Sequence, residues 1–460
     1  MTAVIEKQSK DLSETTYLVQ LMAVLTGVAG FLFGYDNAVI SGAVLFIKQE
    51  FSLSSTLQEF MVSVHLLGAI VSASFGGVLA DRFGRKRTLL LAALMLAMAS
   101  LSTALATGTL SLMVSRFLVG AGMSVVAITA PLCTAELATK SKRGGLVARY
   151  GFGLTIGILA AYGADYLLAA DGAWRWMLGL GVVPAVVLTM GVLWVPETPR
   201  WLMGVGREDE ARAALQRLRQ RAAVEEELGE IAGSQQAEGT AKWSDLFEPA
   251  LRPALVLGIG LAIFRAASGF AVVRFYSPEI FRSAGFAMAS NQLAMTVGIG
   301  GIMVLTAFLA LKLLDRVGRR PLLLGGFTGM AVGMLMLGIV LGDEILPPLV
   351  EPWVAVFSVA LFTAAFGLGP ATAFRPVISE IYPTGVRGLG NSIAQLANSL
   401  ANLLVAATFL TLLDSIGGGP SFILYGLFAV AAILFVYFCA PETKGHSLEE
   451  IEAFWSRDKS

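Results

Sequence analysis

Long uncharged apolar runs recur along the whole chain, and they restrict its possible folds more than any other feature. The clearest runs cover residues 17–35, 88–115, 117–135, 177–196, 321–342, 352–374, 388–413 and 415–441. About 20 apolar residues are enough to cross a bilayer. Because lipid offers the backbone no hydrogen bonds, each such segment should be a helix. Turns placed at glycine, proline and charge clusters predict about six spans before Pro196 and about six after Leu251.

The small charged fraction points to the same environment. Only 14% of the 460 residues are charged, whereas soluble domains carry about 25%. So few charges cannot cover a water-exposed surface, and most of the surface should therefore face a lipid bilayer. The formal net charge of zero argues against a nucleic-acid partner. The polar stretch up to Thr16 has no apolar core followed by a cleavage site, so we expect no removable signal peptide.

Basic residues fall on one side of the predicted spans. The cluster after the second span is Arg82, Arg85, Lys86 and Arg87; that after the fourth is Lys140, Lys142 and Arg143; that after the eighth is Arg316, Arg319 and Arg320. The charged segment 207–242, rich in Arg, Glu and Ala, lies on this side too and predicts short amphipathic helices in water. By the positive-inside rule this side is cytoplasmic. We therefore expect a multi-pass protein of the cell's inner (plasma) membrane with both termini in the cytoplasm.

The two halves of the chain repeat one another. Asp81-Arg82-Phe83-Gly84-Arg85-Lys86 returns as Asp315-Arg316-Val317-Gly318-Arg319-Arg320, Glu136 with Arg143 returns as Glu380 with Arg387, and Pro196-Glu197-Thr198 returns as Pro441-Glu442-Thr443. Three ordered correspondences at nearly one offset predict a parallel repeat about an axis along the membrane normal.

The predicted fold is therefore an all-α integral membrane protein with 12 transmembrane helices in two pseudo-symmetric six-helix bundles. We expect a cytoplasmic N-terminal segment at 1–16, a first bundle at 17–196, a cytoplasmic helical linker at 197–250, a second bundle at 251–441 and a cytoplasmic tail at 442–460.

The repeated motifs resemble those of the major facilitator superfamily and, within it, the sugar porter family. Residues 77–86 match the superfamily motif between helices two and three, while 196–202 and 441–450 resemble the two sugar porter signatures. The resemblance covers nearly all of the chain, from about Val19 to Glu450. One small departure is Leu311, which replaces the leading glycine of the loop motif in the second half.

Charged residues at the cytoplasmic helix ends suggest gating. Arg and Glu there can form charge-assisted hydrogen bonds that tie helices together, and Glu136 with Arg143, like Glu380 with Arg387, is expected to do so. The alternative is that these residues only mark the positive-inside loops. The predicted gating residues are Asp81, Arg82, Arg85, Glu136, Arg143, Asp315, Arg316, Arg319, Glu380 and Arg387.

Two ionisable residues lie inside spans, where a charge is costly and indicates function. Asp36 lies in the first span and Arg116 early in the fourth. Proton-coupled sugar porters carry an acid and an arginine at these positions, so the resemblance implies that the pair couples protons to transport. A static ion pair between helices is the alternative. His65 is titratable near neutrality but is expected to be an ordinary packed residue.

The resemblance is weakest where sugar porters bind their cargo. Two glutamines early in helix seven are replaced by Arg265 and Ala266, an asparagine by Ala271, a glutamine of helix five by Gly151 and a tryptophan of helix ten by Arg375. Buried arginines are expensive without a partner, and guanidinium binds carboxylate, sulfonate or phosphate well. The predicted substrate-binding residues are Arg265, Arg375, Arg274, Phe270, Tyr276, Asn398 and Gly151.

The leading functional prediction is proton-coupled import of a small organic anion, such as an acidic sugar, a hydroxy acid or a sulfonated sugar, by alternating access. Proton symport of a neutral sugar or polyol, and a membrane nutrient sensor without transport, are the alternatives. An enzyme is not expected, because the chain has no nucleophile–base set, phosphate loop or metal-ligand cluster. Cys133 and Cys439 are interpreted as small apolar residues rather than metal ligands. The only expected energy source is the proton gradient, with no cofactor.

Overall fold

The computed structural model describes residues 17–139, 142–219, 221–237, 243–249, 251–342, 347–383 and 385–444. The predicted N-terminal segment at 1–16, Lys140 and the tail from residue 445 onward lie outside the described residues. Within these ranges every regular element is a helix.

Among the described residues, twelve helices are long and apolar enough to cross a membrane, as the run lengths predicted. Spans 1 to 6 are Tyr17–Phe51, Ser55–Phe83, Arg85–Ala104, Thr109–Leu137, Arg143–Leu168 and Trp174–Trp194. Spans 7 to 12 are Arg252–Ser283, Ala289–Leu314, Arg319–Gly342, Glu351–Ile381, Arg387–Ile416 and Gly418–Cys439. Large apolar side chains remain exposed on them, among them Leu404 at 65% and Phe438 at 77%. Such a surface suits lipid, where apolar exposure costs nothing.

Several spans are not single straight helices. Span 1 consists of Tyr17–Ala38 and Ile40–Phe51, span 6 of Trp174–Gly179 and Val182–Trp194, and span 10 of Glu351–Leu368 and Pro370–Ile381. Span 7 consists of Arg252–Arg265, a π-helical turn Ala266–Phe270, and Ala271–Ser283. The turn contains Gly269 at φ +96°, a conformation that favours glycine. Irregular backbone inside a span is typical of places that handle ions or substrates.

Between spans 6 and 7 the chain forms short helices at Pro199–Gly204, Glu208–Leu218 and Arg221–Ala237, and a 3₁₀ turn at Trp243–Phe247. Trp201, Leu202, Ala211, Leu215 and Leu228 form a small hydrophobic core of their own. Arg219 attaches this linker to the membrane helices, because one of its Nη atoms donates to the Leu137 carbonyl at the end of span 4, at 3.0 Å.

Packing divides the chain into two compact units. The first runs up to Asn37 and includes Leu67–Ile158 and Arg175–Gly239; the second comprises Ala38–Leu66, Leu159–Trp174 and the chain from Thr240 on. Span 1 is divided at Asn37, directly after Asp36 and beside its helix break. The second unit thus contains parts of spans 1, 2 and 5 together with spans 7 to 12. The domain boundaries drawn from the sequence repeat stay a prediction.

Spans 1 and 5 approach each other backbone to backbone within the first unit. A Cβ on Gly30 would lie 2.0 Å from the Tyr150 carbonyl oxygen, and one on Gly157 would lie 2.1 Å from the Phe31 carbonyl oxygen. Small residues allow membrane helices to pack this closely, where dispersion rather than the hydrophobic effect drives association.

Candidate functional site

Asp36 and Arg116 meet inside the first unit. Their exposed fractions are 2% and 1%, because span 1 and span 4 both direct them between packed helices. The Arg116 guanidinium donates through both Nη atoms to the backbone carbonyl of Asp36, at 3.3 and 3.4 Å. Asp36 Oδ2 and Arg116 Nε have no hydrogen-bond partner among the described residues. The sequence predicted a side-chain ion pair, whereas here the guanidinium binds the main chain beside the carboxylate.

This arrangement leaves the Asp36 carboxylate without a directly bonded cation among the described residues. A buried carboxylate without a directly bonded cation is costly in its charged form. Arg116 is held beside this carboxylate by its two hydrogen bonds to the Asp36 main-chain carbonyl.

Arg265 lies in the second unit, at the last turn of helix Arg252–Arg265. Its Nη1 donates to Asn398 Oδ1 at 3.1 Å, and its guanidinium lies 5.2 Å from the Phe366 ring centroid and 5.1 Å from that of Phe374. Its Nε has no hydrogen-bond partner in the described part of the chain. Asn398 belongs to span 11 and also bonds to span 7, because its Nδ2 donates to the Ala262 carbonyl at 3.0 Å.

Arg274 continues the same cluster nine residues further along span 7. Its guanidinium lies 5.2 Å from the Phe270 ring centroid and 4.4 Å from that of Phe275. Phe270 in turn stacks on Phe366 with the ring centroids 3.7 Å apart. The two arginines are thus joined by stacked aromatic faces that attract cations, a partial substitute for a carboxylate.

The remaining predicted substrate residues have different surroundings. Arg375 is exposed, and Gly151, in the first unit, is exposed with open space where a Cβ would stand. Tyr276 is 1% exposed, and its hydroxyl donates to the Ala406 carbonyl at 2.8 Å, so its polar atom is already used within the protein. Asn398 is also buried and hydrogen-bonded. In this conformation Tyr276 and Asn398 support the site rather than present a free polar group.

Glu136 of the first half joins two helix ends. It accepts hydrogen bonds from Arg85 Nε at 3.1 Å and Arg85 Nη2 at 3.1 Å, and Arg85 also pairs with Asp81 at 3.0 Å. The sequence paired Glu136 with Arg143 instead, but Arg143 is exposed and makes no ion pair with it. Arg85 is the partner of Glu136 because the start of span 3 lies beside the end of span 4. Arg143 is separated from Glu136 by a turn of the chain.

Glu380 of the second half is held in the corresponding way. It accepts from Arg319 Nη2 at 3.0 Å and from the Thr443 hydroxyl at 2.5 Å. Arg387 Nε contacts the Tyr382 carbonyl at 3.5 Å. Among the other predicted gating residues, Arg82 and Arg316 are exposed, and the side chain of Asp315 lies outside the described residues.

The sequence from residue 22 to residue 455 matches the model of the family described as "Sugar (and other) transporter". The chain belongs to this family. It is 37% identical over 449 residues to the galactose-proton symporter of Escherichia coli, covering 97% of this chain and 96% of that protein. It is 35% identical to the arabinose-proton symporter of the same organism, covering 96% and 94%.

Solved sugar transporter structures share the fold. The inward open conformation of the xylose transporter XylE from Escherichia coli superposes with a TM-score of 0.81 at 30% identity, covering 95% of this chain and all of that chain. The major facilitator fold with twelve membrane spans is therefore that of this protein, and the resemblance stated from the motifs is confirmed.

Sequence reasoning missed two glutamates beside the helix-end clasps, which are the ion pairs of Arg85 with Glu136 and of Arg319 with Glu380. Glu197 Oε1 accepts the Lys86 backbone N–H at 3.0 Å, and Glu442 accepts those of Arg319 and Arg320 at 3.0 and 3.1 Å. Each caps a helix that follows a glycine at positive φ. Their recurrence in the two signatures was a usable signal, because a helix start has free N–H groups that attract carboxylates.

Proposed function

We propose that this protein is a proton-coupled symporter that imports a small hydroxylated substrate by alternating access. The observation that carries the proposal is the buried pair Asp36 and Arg116, in which a carboxylate with a partnerless oxygen lies beside an arginine. In this proposal Asp36 takes up a proton when Arg116 binds its carbonyl, and loses it when the charges meet. The protein would lie in the plasma membrane with both termini cytoplasmic, as the basic loops indicate.

A neutral sugar or polyol is the first candidate for the substrate. Relatives whose names include a substrate, among them the galactose-proton and arabinose-proton symporters, are named for neutral sugars. In this chain Arg265 is half-buried with its Nη1 bonded to a neutral amide, and guanidinium N–H groups can also donate to sugar hydroxyls. The aromatic faces of Phe366 and Phe374 provide the apolar contact that sugar rings require.

An anionic sugar or hydroxy acid is the second candidate, and a specific observation favours it. Arg265 and Arg274 make no ion pair with any described carboxylate, and the Nε atom of each lacks a partner. A substrate carboxylate would satisfy these donors with charge-assisted hydrogen bonds. Phe rings already stabilise both cations, which is why the cluster can also exist without an anion.

In the same proposal the helix-end clasps act as inner gates. Arg85 with Glu136, and Arg319 with Glu380, would tie the cytoplasmic helix ends together in some states of the cycle and release them in others. Arg82, Arg143 and Arg316 are exposed. Any ion pair that they form with neighbouring loops would add little to the stability of the closed gate, because exposed ion pairs are weak.

Matched substrate pairs in proteoliposomes test the proposal. Purified protein would be given galactose and galacturonate, arabinose and arabinonate, each with an inward proton gradient and without it. Proton symport predicts uptake above the equilibrium level only with the gradient, together with substrate-dependent alkalinisation of the outer solution. Preference for the neutral member of each pair supports the first candidate, and preference for the acid supports the second.

The control is the protein reconstituted with a protonophore, which should leave exchange but remove accumulation. If saturable binding of a sugar or sugar acid occurs without any flux, the protein is a sensor and the proposal is wrong. If accumulation persists with the protonophore present, transport is not proton-coupled.

A further inference from the structure

Glu59 is a buried acid that the proposed mechanism does not use. It lies in the second turn of span 2, at the end remote from the arginine-rich loops, and only 1% of it is exposed. No Lys, Arg or His of the described chain forms an ion pair with it. A buried carboxylate without a cation is expensive, so its hydrogen bonds must explain why it is there.

Both carboxylate oxygens of Glu59 are taken by one residue of span 11. Oε1 accepts the backbone N–H of Thr411 at 2.7 Å, and Oε2 accepts the Thr411 hydroxyl at 2.7 Å. These lengths are typical of charge-assisted hydrogen bonds, which are about twice as strong as neutral ones. The contact joins a span of the first half to a span of the second half, and both residues belong to the second compact unit.

The internal repeat argues that this acid is not a packing requirement. With the offset that relates Asp81 to Asp315, Gln58 corresponds to Gln292, and both are buried at 1% and 3%. Glu59 then corresponds to Leu293, a fully buried apolar residue. The same place in the fold is thus filled by hydrocarbon in one half and by a carboxylate in the other.

The neighbourhood of Thr411 does not otherwise favour an anion. Thr411 lies near the C-terminal end of helix Arg387–Ile416, where the helix dipole is negative. The titratable groups close to Glu59 are the hydroxyls of Tyr276 on span 7 and Tyr425 on span 12. The Tyr276 hydroxyl donates to the Ala406 carbonyl at 2.8 Å. Span 11 therefore contacts span 7 through Ala406 and span 2 through Thr411, within two helical turns.

We propose that Glu59 and Thr411 form an outer latch, which holds the ends of spans 2 and 11 together on the side opposite the arginine-rich loops. When the latch is closed, Thr411 supplies the donors of the carboxylate; when it is open, water supplies them. The carboxylate is therefore hydrogen-bonded in both the closed and the open state, and it lacks donors only in the transition between them. This favours two discrete arrangements of the helix ends over a continuous range. This inference rests on the proposed alternating-access function, to which it adds outer-gate residues.

Spin-label distance measurements test the latch without any substrate. In a background with Cys133→Ala and Cys439→Ser, labels at the exposed positions Thr56→Cys and Ile416→Cys would report the separation of the two helix ends. Glu59→Gln and Thr411→Val should each raise the open-to-closed ratio roughly tenfold or more, the factor expected for losing a hydrogen bond to a charged group. The distance distribution should then gain a longer component.

Two variants make the result specific. Thr411→Ser keeps the hydroxyl and the backbone N–H, so it should behave as the parent protein. Thr408→Val, one turn earlier on the same helix, removes an exposed hydroxyl that bonds only to the Leu404 carbonyl of its own helix, at 2.7 Å, and should change nothing. Unchanged distributions in both Glu59→Gln and Thr411→Val, or an equal shift in Thr408→Val, would overturn the latch.

A second measurement covers variants that fail to fold. In the same cysteine-free background, a short bis-methanethiosulfonate applied to Glu59→Cys with Thr411→Cys links the two thiols through disulfides and releases two sulfinates. This cross-link should stop uptake, and reduction of the disulfides should restore it. Uptake at the parent rate after complete cross-linking would overturn the latch. If the distances shift as expected while no sugar or sugar acid is transported, the latch stands and the proposed function fails; the reverse pattern removes the latch alone.

Discussion

The two halves of the chain agree closely at the helix ends beside the arginine-rich loops and differ sharply inside the membrane spans. Arg85 with Glu136 in the first half is matched by Arg319 with Glu380 in the second, at 3.1 and 3.0 Å. Inside the membrane the first half buries an acid and an arginine, whereas the second half holds Arg265 and Arg274 among aromatic rings. The repeat therefore preserves the ion pairs that join helices, and the halves have diverged in the ionisable groups that they hold inside the spans.

The largest effect in this comparison is expected for Asp36→Asn. Because the amide cannot gain or lose a proton, accumulation should fall to the equilibrium level while exchange of labelled substrate continues. Uptake into proteoliposomes with and without a proton gradient measures both. Asp171→Asn, an exposed acid of the same half, should accumulate normally; an accumulating Asp36→Asn protein would remove Asp36 from the coupling mechanism.

The next effect concerns Arg265 and depends on the substrate class. If the cargo is an anion, Arg265→Gln should weaken its binding by about 2–5 kcal/mol, because a buried charge pair loses one partner. Arg265→Lys should rescue poorly, because ammonium lacks the planar fork. If the cargo is neutral, Arg265→Gln should change binding far less.

Arg252→Gln is the matched control for that prediction, since Arg252 is an exposed arginine at the start of the same span. Equilibrium binding of a sugar and of its acid to the four proteins measures the difference. Equal losses for both substrates in Arg265→Gln would show that Arg265 supports the site only through Asn398.

A smaller effect should separate the two helix-end clasps. The Glu136 side chain is 6% exposed and that of Glu380 is 25% exposed. Glu136→Gln should therefore destabilise the protein by about 1.5–3 kcal/mol, the range for hydrogen bonds to charged groups, and Glu380→Gln by less. Thermal unfolding in detergent orders the variants, with the exposed Glu226→Gln as control. The opposite order would mean that solvent access does not set the strength of these clasps.

The smallest effect is the pH dependence of the Glu442 cap. Partial burial acts to raise the pKa of Glu442, but hydrogen bonds from the backbone N–H groups of Lys444, Arg319, Arg320 and Thr443 outweigh it and lower the pKa below the usual 4.5. Its contribution to stability is therefore present above that value and is lost as the pH falls through the lowered pKa. The thermal midpoints of the parent and of Glu442→Gln should differ at pH 7 and converge below pH 4.5. A constant difference would contradict the cap.

The fold was largely readable from the sequence, and the polar contacts were readable only in part. Apolar runs placed the spans, and the repeat located Glu136 and Glu380 correctly at helix ends. Their partners were misassigned, because Arg143 is near Glu136 in the sequence whereas Arg85 is near it in space. Glu59 gave no local signal beyond an acid near the start of an apolar helix, which is also where an ordinary capping acid would stand.

Span number and fold class follow from the sequence alone, because a membrane permits only helices of a minimum length. The positions of Asp36, Arg116 and Arg265 inside spans were equally evident, since a charge there is conspicuous. The tertiary packing decided what such residues touch. Arg116 binds the main-chain carbonyl of Asp36, Arg265 lies beside two phenylalanine rings, and Glu59 reaches Thr411 more than 300 residues away. Those contacts depend on how helices cross and rotate, and in lipid small differences in close packing set that geometry, which leaves no period in the sequence.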